Sequence, residues 1–73
     1  MSSRKRDIDR PLVGKLRQLR EDAGLLQSEV AEEIGVTRQT YQSYESGIKW
    51  IPDERVLALA DLYGVSADYL LSE

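Results

Sequence analysis

Glycine punctuates this chain. Gly24, Gly35, Gly47 and Gly64 separate short segments in which apolar residues recur three or four apart, and no alternating pattern of useful length appears anywhere. That combination predicts helices stopped by glycine and leaves no signal for strands. Leu12, Leu16, Leu19 and Ala23 mark helix 1, opened by Pro11 in its first turn with Asp9 as a cap. Helix 2 covers about residues 27–34, with Val30, Ala31 and Ile34 on one side. Only Gly35 and Val36 precede the next cap, Thr37, and helix 3 then runs to about Ser46. Asp53 caps helix 4, which carries Val56, Leu59, Ala60 and Tyr63, and Ser66 caps a last short helix with Tyr69, Leu70 and Leu71. The fold class is all-α, with five helices in residues 11–73 behind a polar, flexible basic arm of residues 1–10.

At 73 residues the chain supports one domain with a small core. It has no Cys and no His. Disulfides, thiolate chemistry, zinc fingers and Ser-His or Cys-His catalysis are therefore excluded. No Gly-rich phosphate loop or metal-ligand cluster is present, so an enzyme, a metal and a cofactor are not expected. Glu29, Glu32 and Glu33 have the spacing of a solvated helix face, as do Asp53 and Glu54 at the start of helix 4. Nothing approaches a membrane span of about 20 apolar residues, and the basic start lacks the apolar core of a secretion signal. A cytoplasmic protein follows, with no membrane partner.

The net charge of −3, taken alone, argues against a nucleic-acid partner. Its distribution argues otherwise. Residues 1–20 hold seven basic side chains against two acids, for +5, whereas residues 21–73 hold three against eleven, for −8.

Two short helices joined by a Gly-containing turn form a helix-turn-helix arrangement. Helix 3 can be laid out at about 100° per residue. With Arg38 at zero, Gln42, Ser46, Gln39 and Ser43 fall at about 40°, 80°, 100° and 140°, while Tyr44 and Tyr41 fall near 240° and 300°. One face is polar and lacks acids; the other is aromatic and belongs to the core. Arg and Gln are the side chains that pair bidentately with guanine and adenine edges in the major groove.

From Leu16 to Gly47 the chain reads LRQLREDAGLLQSEVAEEIGVTRQTYQSYESG, and from Ile51 to Leu71 it reads IPDERVLALADLYGVSADYLL. This ordered set resembles the Cro/phage-repressor-like helix-turn-helix family of bacterial and phage transcriptional regulators. The resemblance implies a compact five-helix, lambda-repressor-like DNA-binding domain. It places Arg38, Gln39 and Ser43 at base-contacting positions, with Gln42 nearby. Gln27, Thr37 and Ser46 take phosphate-contacting positions, Gln27 also bracing helix 3, and Lys49 is placed to meet the backbone. Arg20 and Glu45 stand where the family often carries a partly buried salt bridge. One departure is Leu26, where relatives commonly hold a Ser, Thr or Asn cap; its loss costs about 1 kcal/mol.

The implied function is a sequence-specific regulator, most simply a repressor, acting as a homodimer on a palindromic double-stranded operator. No small-molecule ligand is expected. An alternative is a protein-protein interaction module of the same fold, antitoxin-like or regulator-binding, supported by overall acidity and the apolar loop Ile48, Trp50 and Ile51. That loop either plugs the core's edge or meets a partner. Arg4, Lys5 and Arg6 serve either as a solubilising tail or as an arm reaching into a DNA groove.

Overall fold

The computed structural model describes residues 3–72, with side chains from Leu12 onward. Five helices follow in order: α1 (Ser3–Asp22), α2 (Gln27–Ile34), α3 (Arg38–Glu45), α4 (Asp53–Tyr63) and α5 (Ala67–Leu71). Among the described residues there is no strand, and no helix is long and apolar enough to cross a membrane.

The first helix begins at Ser3 instead of Pro11, so the backbone expected as a flexible arm is helical and Asp9 is not a cap. Arg and Lys are good helix formers, and Pro11 removes only one backbone donor from the ladder it interrupts. The side chains of Arg4, Lys5 and Arg6 lie outside the described residues.

Helix ends are set by different devices. Thr37 caps α3 by accepting from the Thr40 N–H at 3.1 Å, and Ser66 caps α5 by accepting from the Tyr69 N–H at 3.0 Å. Leu26 precedes α2 without a side-chain cap and is 65% exposed. Half of a capping box survives there, because the Leu26 N–H donates to Glu29 Oε1 at 2.8 Å. Asp53 is the first residue of α4, not its cap; Pro52 holds the cap position in extended backbone. Asp53 and Glu54 instead place negative charge at the positive end of α4.

Gly35 ends α2 at φ +79°, and the Val36 N–H then reaches back to the Ala31 carbonyl at 2.9 Å. That closure turns the chain sharply into α3. A Cβ at Gly35 would meet nothing within 4 Å, so the cost of Gly35→Ala is conformational. It should be about 1–2 kcal/mol. For a domain this small, the expected fall in Tm is about 4–8 °C per kcal/mol, measurable by circular dichroism.

The core unites Leu12 and Leu16 of α1, Val30, Ala31 and Ile34 of α2, Tyr41 and Tyr44 of α3, and Val56, Leu59 and Ala60 of α4 with Leu70 of α5. The two tyrosine rings meet edge-on, 6.5 Å apart at 82°. Ile51 also enters this core, at 2% exposure, whereas Ile48 and Trp50 remain exposed. The apolar loop is thus divided: Ile51 belongs to the protein's own interior and is not available to a partner. Helix α1 packs on α3 and α5, and α2 packs on α3 and α4. Lys15 fastens α5 to α1. Its ammonium donates to the carbonyls of Tyr69, at 2.5 Å, and of Ser72, and stands 4.7 Å over the Tyr69 ring.

Candidate nucleic-acid interface

Burying Tyr41 and Tyr44 turns the opposite face of α3 outward. Arg38, Gln39 and Gln42 are exposed on it, and Ser43 is half-buried with its hydroxyl donating to the Gln39 carbonyl at 3.2 Å. These side chains occupy one convex helix surface, where donors and acceptors can meet an extended partner edge-on.

The single acid of α3, Glu45, is turned away from that surface and fully engaged. Its Oε2 accepts from Arg20 Nε at 2.5 Å and from the Tyr41 hydroxyl at 2.7 Å. Its Oε1 accepts from the second Arg20 nitrogen at 3.2 Å and from Gln27 Nε2 at 3.0 Å. The remaining Arg20 nitrogen donates to the Leu25 carbonyl at 3.0 Å. The Arg20 and Glu45 side chains are only 14% and 6% exposed. One carboxylate thereby joins the ends of α1, α2 and α3.

Burial pushes the Glu45 carboxyl up, but the hydrogen bonds from Arg20, Tyr41 and Gln27 outweigh it and hold its pKa below the usual carboxylate value. The bond to Glu45 raises Arg20 further above its ordinary range, against the opposing effect of burial. Burial, reinforced by the same carboxylate, raises the Tyr41 phenol far above its ordinary value, so it remains a donor.

The residues expected at phosphates lie on several segments. Gln27 opens α2, Thr37 stands just before α3, and Ser46 follows its end, with the Ser46 hydroxyl donating to the Gln42 carbonyl at 2.9 Å. Gln27, Gln42 and Ser46 come together around one recess, which Arg17, Arg20 and Glu45 also line. Gln27 and Arg38 share a second recess with Arg20, Leu26 and Ser28. Thr37 and Lys49 line neither, and Lys49 is exposed in the loop after α3. Sequence reasoning passed over Arg17. Its position three residues before Arg20, on the same side of α1, was the available signal.

A helix-turn-helix family model matches residues 16–70. The chain is 42% identical over 57 residues to an uncharacterized HTH-type transcriptional regulator, YobD, of Bacillus subtilis (strain 168), a match covering 78% of this chain and 51% of that protein. It is 44% identical over 59 residues to the cryptic phage CTXphi transcriptional repressor RstR of Vibrio cholerae, covering 81% of this chain and 53% of the repressor. The chain thus spans about half the length of these curated relatives. The crystal structure of the hypothetical transcription factor NHTF from Neisseria superposes with a TM-score of 0.83 at 26% identity, over 93% of this chain and 78% of that one. Family model, relatives and fold agree: the chain belongs to the helix-turn-helix family of Cro- and phage-repressor-like regulators.

Proposed function

We propose that this chain is a sequence-specific, double-stranded-DNA-binding transcriptional regulator, a repressor, which places α3 in the major groove. The observation that carries this reading is the outward face of α3. In a protein of net charge −3 it exposes Arg38, Gln39 and Gln42, while the helix's one acid is tied back to Arg20. Arg and Gln read purine edges there, with Ser43 beside them. Gln27, Thr37, Ser46 and Lys49 contact phosphates and hold the register. The similarity to a protein named as a phage transcriptional repressor supports the same reading. Such a regulator works in the cytoplasm, at the nucleoid when bound.

A homodimer on a palindromic operator completes the proposal, because one short helix reads too few bases and two-fold pairing doubles the site. Leu57 of α4, Tyr69 and Leu71 of α5, and Ile48 and Trp50 of the preceding loop are exposed apolar side chains suited to a self-complementary contact. Sedimentation at tens of micromolar, with and without operator, is expected to show a dimer; a strict monomer in both conditions rules it out.

Selection of bound duplexes from a random pool, followed by a salt titration of the enriched site, tests the reading directly. The expected result is a two-fold-symmetric site with half-sites about 10 base pairs apart, and an affinity that falls steeply with salt. No measurable affinity for any duplex would instead favour a protein-binding module of the same fold.

A further inference from the structure

We propose that the recess between α1 and the end of α3 seats one DNA backbone phosphate, and that Arg17 supplies its positive charge. This site rests on the DNA reading above and adds to it a contact from the first helix.

The recess is lined by Arg17, Arg20, Gln27, Gln42, Glu45 and Ser46, and it lies beside the helix face that meets the bases. Its charge depends on how the lining groups are already paired. Glu45 is not a bare carboxylate facing the opening: four donor nitrogens and hydroxyls from Arg20, Gln27 and Tyr41 occupy its two oxygens. Arg20 is spent in the same arrangement, so the pair is neutral and the surplus charge is that of Arg17.

Arg17 is loosely held. Among the described residues its only ion pair is with Glu21, one turn along α1, at 3.4 Å, and the two side chains are 70% and 58% exposed. Exposed pairs of this kind contribute little and exchange readily for a better partner. A phosphate is such a partner, since guanidinium offers it forked, charge-assisted donors. Gln27 uses one N–H on Glu45 and retains a second amide hydrogen for an anion.

The carbonyls at the end of α3, which would repel an anion, are engaged. The Gln42 carbonyl accepts from the Ser46 N–H, Ser43 from Ile48 and Lys49, and Tyr44 from Gly47. The lining residues of the recess thus carry one net positive charge beside amide and hydroxyl groups, at the flank of the recognition surface, and it is offered to an anion when Arg17 exchanges Glu21 for it. It carries no feature that distinguishes one base from another, so its contribution is to affinity and register, not to sequence choice.

The experiment compares wild type, Arg17→Gln and Arg17→Lys by fluorescence anisotropy on the selected operator and on a random duplex, between 50 and 200 mM salt. Thermal melts of all three should coincide, because the Arg17 side chain lies outside the core. Arg17→Gln should weaken both duplexes alike and lower the log–log salt slope by about 0.9 per protomer, about 1.8 for the dimer, so that a fourfold rise in salt costs it about 12-fold less affinity than wild type. Arg17→Lys should restore the slope. Ethylation interference should show one phosphate per protomer whose modification no longer matters to Arg17→Gln. An unchanged slope and interference pattern in Arg17→Gln, with wild type still binding DNA, overturns this site and leaves the functional reading standing. Loss of preference at a base pair assigns Arg17 to base reading and likewise overturns it. Failure of wild type to bind any duplex overturns both.

Discussion

Glu45→Leu is expected to destabilise the fold by about 3–5 kcal/mol, because it strands the Arg20 guanidinium in a site where it is largely shielded from water. Arg20→Met should cost a similar amount by stranding the carboxylate, which is 6% exposed. In the double variant the charges vanish together, and most of the loss should be recovered. Recovery stays incomplete for a reason visible in the geometry. The Tyr41 hydroxyl and the Gln27 amide also donate to Glu45, and the Leu25 carbonyl also accepts from Arg20. An orphaned buried donor costs about 1–3 kcal/mol, so adding Tyr41→Phe to the double variant should recover part of the remainder. Urea unfolding of the full cycle measures the coupling. Single losses below about 1 kcal/mol that simply add would mean that Arg20 and Glu45 do not act as a pair.

The same site predicts an acid limb. Glu45 is held below the usual carboxylate pKa, so its contribution is fully present above the unfolded value of about 4.3 and is lost as pH falls through the lower folded value. The stability difference between wild type and Glu45→Gln should therefore shrink on acidification below about pH 4. A difference that stays constant down to pH 2 would assign the acid sensitivity to other carboxylates.

Arg38→Ala is expected to cost about 1–3 kcal/mol per half-site of the selected operator, a loss of about 5- to 150-fold for each, and to relax the preference at one base pair per half-site. Arg38 is the first residue of α3 and is exposed, so its removal leaves the core and the Glu45 centre untouched. Melting should be nearly unchanged. The discriminating measurement is the ratio of operator to random-duplex affinity: a fall in the ratio marks base reading, whereas equal weakening of both would make Arg38 a phosphate contact.

Five helices, their glycine stops and the inward side of α3 were legible because each is local. A helix repeats every 3.6 residues, so Tyr41 and Tyr44 could be set against Arg38 and Gln42 by counting along one segment. Left-handed Gly24, Gly35, Gly47 and Gly64 likewise answer to the backbone at a single position. Where local rules compete, counting misled. Pro11 is compatible with a first turn, yet α1 continues through it to Ser3. Ile51 and Trp50 look alike in composition, and only the entry of the chain into α4 puts Ile51 in the core and Trp50 outside.

The sequence by itself therefore determined the number and order of the helices, the caps of α3 and α5, and which residues of α3 face outward, since these follow from short-range geometry and side-chain type. The tertiary structure alone decided what surrounds that face. Arg20, Gln27, Tyr41 and Glu45 come from three helices, and their convergence on one carboxylate depends on how α1 and α2 cross α3. Arg17 enters the recess beside Gln42 and Ser46 for the same reason. A periodic pattern states which side of a helix is apolar but not the angle at which two helices meet, and that angle is set by the packed core.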